Sequence, residues 1–162
     1  MVKLTLRQED AHLAYLAIAF HIGRPGSELD PITKRQVEHG LAEVARELQP
    51  QLRLAAATLS LNDVQATRLL SAMLGSITEL KAYPMFEPRL DEAGGGRRSS
   101  VAGFDRSLFH LFPAVESDAT EAIDVAERML MLKRRLDDTL TQSNSGEPAS
   151  RDKKRRWWPF GR

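Results

Sequence analysis

The sequence predicts an all-α fold: a single helical bundle of about four main helices plus one short helix. Three observations carry this prediction. Ala11 to Ile22, AHLAYLAIAFHI, is apolar on nearly every side, interrupted only by His12 and His21, as expected of a helix buried at the centre of a domain. Further segments place apolar residues at steps of three and four behind recognisable capping residues. Alternation long enough to seed a sheet is not evident, nor is an internal repeat.

Taken in order, the first helix should begin around Leu6 to Gln8, with Glu9 and Asp10 in its first turn, where the helix dipole favours carboxylates. It should end at Gly23, ahead of the turn residues Arg24-Pro25-Gly26-Ser27. Asp30-Pro31 reads as the start of a second helix, with aspartate as N-cap and proline at the first helical position. The stripe Val37, Leu41, Val44, Leu48, Leu52, Ala55 and Leu59 carries it onward, with a break near Gln49 imposed by Pro50. Asn62 and Gln65 have capping-box spacing and open a third helix, whose buried face is Ala66, Leu69, Leu70, Met73, Ile77 and Leu80. It should stop before Pro84.

Residues 85–100 lose periodicity and read as a mobile glycine-rich loop. Phe104 to Phe112 reads as a short helix closed by Pro113. The last helix should start at Asp118, with Glu121 at capping-box spacing, and present Ala122, Val125, Met129, Leu132, Leu136 and Leu140 inward. Residues 1–142 are therefore expected to form the bundle domain. Residues 143–162 should form a flexible linker and a basic, aromatic tail.

Composition bounds the chemistry. A chain of 162 residues without cysteine offers no disulfide framework and no thiolate for metal binding or nucleophilic attack. A reducing cytoplasm fits. The N-terminus meets Glu9 and Asp10 before its apolar run and shows no cleavage pattern after Ile22, so it does not read as a secretion signal. Spanning a bilayer takes about 20 apolar residues, and Ala11 to Ile22 falls short of that.

Candidate catalytic and metal motifs are thin. Glu9 and His12 have Glu-x-x-His spacing, but the second such pair required by a di-iron bundle is missing. Nine steps of roughly 100° put His12 and His21 on opposite helix faces, so they are expected to be hydrogen-bonded core-edge or capping residues. His39 and His110 fall on separate segments without a recognisable nucleophile signature. Gly94 to Ser100 lacks the Gly-Lys-Ser/Thr ending and preceding strand of a phosphate-binding loop. No cofactor and no metal are expected, and the chain does not read as an enzyme.

The tail is the least ordinary stretch. Both tryptophans, Trp157 and Trp158, sit beside Phe160 and behind Lys153, Lys154, Arg155 and Arg156. Residues 151–162 hold six basic residues against one acidic, a formal +5, which leaves −4 on residues 1–150 within the total of +1. Basic residues near an anionic lipid surface contribute about 1 kcal/mol each, and tryptophan partitions to the headgroup boundary. These seven residues are therefore the expected membrane- or partner-binding site. The leading expectation is a cytoplasmic interaction or adaptor module, peripherally tethered to an anionic membrane at its inner face. The same side chains would also suit a protein partner or nucleic acid, with bases stacked on the indoles. A small-molecule site in the bundle interior is a further alternative, and pairing of leftover apolar stripes would make a homodimer.

Overall fold

Secondary structure begins with a strand rather than a helix. The computed structural model describes residues 1–28, 40–90 and 96–144. Val2–Arg7 forms β1, and α1 follows at once over Gln8–Gly23. After α2 (Leu41–Leu48) and a 3-10 turn at Gln49–Gln51, the chain enters β2 (Ala56–Leu61) and then α3 (Asp63–Ala82). A second 3-10 turn, Tyr83–Met85, leads to the two-residue strands β3 (Arg89–Leu90) and β4 (Gly96–Arg97). The described chain closes with α4 (Phe104–Leu111), α5 (Ala114–Ser117) and α6 (Glu121–Asn144).

The all-α expectation is thus corrected to a mostly helical fold with a small two-stranded sheet. β1 and β2 pair antiparallel, from Val2 opposite Leu61 to Arg7 opposite Ala56. Leu4 and Leu6 on one strand, and Ala57, Leu59 and Leu61 on the other, are buried, while their neighbours face outward. That is the period-two pattern of a half-buried sheet. Leucine and alanine are poor strand markers, so the sequence alone does not announce it. Leu52, Ala55 and Leu59 also satisfied a helical step.

Pro50 produces the expected break, and beyond it the chain turns into β2 instead of resuming a helix. The Asp30-Pro31 start and its continuation to His39 lie outside the described residues, as do the linker and tail from Ser145 onward. Asn62 caps α3 as anticipated: its side chain accepts from the Gln65 amide at 2.8 Å, and the Gln65 side chain accepts from the Asn62 amide at 3.1 Å. Asp118 meets Glu121 only through its backbone carbonyl, which accepts the Glu121 amide at 3.1 Å, and not through the expected side-chain box. Its carboxylate takes the amide and hydroxyl of Thr120 at 2.9 and 2.6 Å, and α6 starts three residues later. Those two bonds hold its carboxyl below the usual carboxylate range.

Helix α1 is the hub. It packs against the sheet and against α2, α3, α4 and α6, and Ala11, Leu13, Ala14, Leu16, Ala17 and Ile18 are all essentially inaccessible. Its end is fixed by Gly23, where a Cβ would fall 2.1 Å from the Ala102 carbonyl oxygen. Only glycine permits that backbone approach.

The structure also exposes an internal echo. Shifting the first unit by 55 positions places Leu4, Leu6, Ala11, Ala17 and Ile22 on Leu59, Leu61, Ala66, Ala72 and Ile77, and the α1 N-cap Arg7 on the α3 N-cap Asn62. Counterparts touch each other at two places, Leu4 with Leu59 in the sheet and Phe20 with Gly75 between the helices. These contacts join corresponding positions of two β-α units.

Candidate functional site

Polar chemistry comes together at several places among the described residues, chief among them two clefts and one buried network. The larger cleft, about 550 Å³, is bounded by the first turns of α1, the Gln49–Gln51 turn and the end of α4. His12 and Gln8 lie one helical turn apart, and both direct Nε2 at the Leu52 carbonyl, at 2.9 and 3.1 Å. A carbonyl can only accept, so the neutral His12 ring carries its hydrogen on Nε2. The edge of the same ring meets Phe112 at 6.3 Å between centroids.

His110, Tyr15 and Arg53 complete the rim. Folding thus gathers His12 and His110, which the sequence left on separate segments. Among the described residues, Arg53 is the one permanently charged residue lining this cleft, and no carboxylate lines it. The arrangement favours an anionic or hydrogen-bonding guest over a paired carboxylic acid and base.

The smaller cleft, about 350 Å³, lies where the end of β1 and the start of α1 face α6. Arg135 grips Asp10 with both terminal nitrogens, at 2.7 and 3.3 Å. Arg128 bonds Glu9 and, at 2.9 Å, Asp124, with its guanidinium 5.5 Å from the centre of the Phe112 ring. Arg7, Leu13 and Met131 complete the lining. Leu13 is closed beneath the groove while Met131 is 64% exposed. The sequence alone does not point to this surface, whose local signals are the adjacent Glu9 and Asp10 and the seven-residue spacing of Arg128 and Arg135.

The buried network is centred on Asp105. Its Oδ1 accepts the Tyr83 hydroxyl and the backbone amides of Arg98 and Ser99, the amides at 3.0 and 3.5 Å. Ser99 in turn donates to Glu79 at 2.6 Å. Burial, together with the hydrogen bond to Asp105, pushes the Tyr83 phenol far above its ordinary range. A phenol held protonated beside a carboxylate is a fastening. It clamps the far end of the glycine-rich stretch to α3 and α4, and the β3–β4 pair closes that stretch nearer its tip.

No protein-family model, curated protein or solved structure matches this chain. The remaining candidates stand on their chemistry. His21, at the end of α1, has Nε2 3.8 Å from Glu28. Burial lowers its pKa from 6.5, partly opposed by the Glu28 charge, while Arg24 and Arg68 lower it further. Lys153, Lys154, Arg155, Arg156, Trp157, Trp158 and Phe160 lie outside the described residues. Among the described residues no helix is long and apolar enough to cross a membrane.

Proposed function

We propose that this chain is a non-enzymatic interaction module tethered peripherally to an anionic membrane surface by its C-terminal segment, on the cytoplasmic side. The observation that carries the reading is segregation. Both tryptophans and a formal +5 are confined to the last twelve residues, against −4 on residues 1–150. An acidic body is repelled by an anionic surface while the basic segment is attracted to it, which orients the molecule. Indoles seated at the headgroup boundary add an apolar anchor.

The tryptophans report on the tail alone, since the chain has no others. Titration of the full chain with anionic vesicles should shift their emission to the blue, and added salt should reverse the shift. Neutral vesicles should leave it unchanged. Unshifted emission with anionic vesicles, together with quenching by single-stranded oligonucleotide, would replace the membrane with nucleic acid as the partner.

A further inference from the structure

The two outer edges of the β1–β2 sheet are treated differently. On the β2 side, the Gln51 side chain acts as a piece of neighbouring strand. Its Oε1 accepts the Thr58 amide at 2.8 Å and its Nε2 donates to the Thr58 carbonyl at 3.0 Å. Residues in an antiparallel pair alternate between facing their partner strand and facing away. Thr58 faces away, so Thr5 opposite it faces away too, and Lys3 and Arg7 share its parity. The ladder continues correctly on the other parity, with the Gln8 amide on the Ala55 carbonyl at 3.1 Å. The amides and carbonyls of Lys3 and Thr5, with the Arg7 amide, therefore point outward from β1. Among the described residues nothing bonds them. The Arg7 carbonyl is committed to the first turn of α1.

We propose that this edge of β1 docks an extended acidic segment of a partner protein as a third strand. An open edge supplies main-chain hydrogen bonds to any strand, and side chains then select which one. The exposed residues here are Lys3, Thr5 and Arg7, so an added strand meets cations at alternate positions and is best matched by glutamate or aspartate beside them. Its other face is offered the groove into which Arg7 leads, with exposed Met131 as an apolar contact. Arg128 and Arg135 in that groove already hold Glu9, Asp124 and Asp10, so the selecting charges are Lys3 and Arg7.

A second copy fits poorly. Antiparallel self-pairing would collect Lys3 and Arg7 of both copies on one face, directly opposite or at diagonals of roughly 7–8 Å, without a carboxylate among them. The chain's own tail is basic and fails for the same reason. The inference rests on the interaction-module part of the reading above and is independent of the tail. Its test contains no lipid, so either idea can fail alone.

The probe is a short fluorescent peptide of alternating glutamate and valine, titrated with the full chain and followed by anisotropy. A lysine-valine peptide serves as the contrast. The glutamate peptide should bind and the lysine peptide should not. Thr5→Pro removes an outward amide without touching the β1–β2 ladder, a position where an edge strand tolerates proline, and should weaken binding roughly tenfold or more. Lys3→Glu with Arg7→Glu should reverse the preference between the two peptides. On the unaltered chain, the peptide should slow hydrogen exchange at the Lys3 and Thr5 amides, a readout that needs no variant. Failure of the glutamate peptide to bind, or absence of that protection, overturns the proposal. So does equal binding by Thr5→Pro, which would assign the peptide to the basic tail. A concentration-dependent dimer abolished by Thr5→Pro would give the edge to a second copy instead.

Discussion

The two β-α units share an inward face and differ in what lies outside it. Along that face Ala11, Ala14, Ala17 and Ile18 of α1 correspond to Ala66, Leu69, Ala72 and Met73 of α3, and all are buried. On the opposite side, Leu13 and Leu16 of α1 are buried as well, whereas α3 has Arg68 and Ser71 at the matching positions. One unit is enclosed by the remaining helices and the other keeps a wet side. The lesson concerns the all-round apolar character of Ala11 to Ile22. It comes from a helix packed at once by the sheet, its own counterpart, α2, α4 and α6. The alanines follow from the same crowding, since three layers cannot all approach a helix of leucines.

Exchanging residues between the units at one buried position gives the largest expected effects. Leu69→Ala should leave a cavity and destabilise the chain by roughly 2–5 kcal/mol, measured by urea unfolding followed by circular dichroism. Ala14→Leu, the reciprocal change, should overpack the hub and destabilise by roughly 1–3 kcal/mol. Should Ala14→Leu prove neutral, α1 has room to spare and the contrast between the helices dissolves.

The N-caps differ next. Asn62→Ala removes the capping box and should destabilise by about 1 kcal/mol. The counterpart Arg7 makes no side-chain cap bond, and Asp10, at the position matching Gln65, is taken by Arg135 instead. Arg7→Asn should therefore stabilise, by about 0.5–1 kcal/mol in the same assay. A loss would show that Arg7 serves the fold through the groove it lines.

The smallest effect separates His21 from its counterpart Ser76. The pKa of His21 is lowered in the fold, first by burial. The unfolded chain therefore binds the proton more readily, and stability falls as pH drops below 6.5 toward the folded value. Above 6.5 that contribution is fully present. His21→Ser should flatten the slope of melting temperature against pH in this window; an unchanged slope would show that His21 does not set it.

Features set by neighbouring residues were legible from the sequence. The Asn62-Gln65 box needs four residues, the Pro50 break one, and the burial of α1 a dozen. What was not legible depended on residues far apart. Leu4-Thr5-Leu6 and Leu59-Ser60-Leu61 are too short to announce strands, and they become a sheet only on meeting each other. The 55-residue echo hides because the matching helices carry different outer faces. The open β1 edge is a property of main-chain direction, which side-chain identity does not encode, and Gln51 is visible as an edge cap only once Thr58 is placed. The basic-aromatic tail was the most conspicuous chemistry in the sequence, and its seven candidate residues fall outside the described part of the chain.

The pairing of Leu4 with Leu59 has a kinetic consequence. Before that contact can form, the whole of α1 and the α2 region must be looped between the two strands. The entropy of closing such a loop grows only with the logarithm of its length, so the final stability hardly registers it. The rate of reaching the native state does, because the loss is incurred before the contacts repay it. Shortening the stretch between Gly23 and Gly40 would therefore be felt more in how fast the two halves meet than in how firmly they hold.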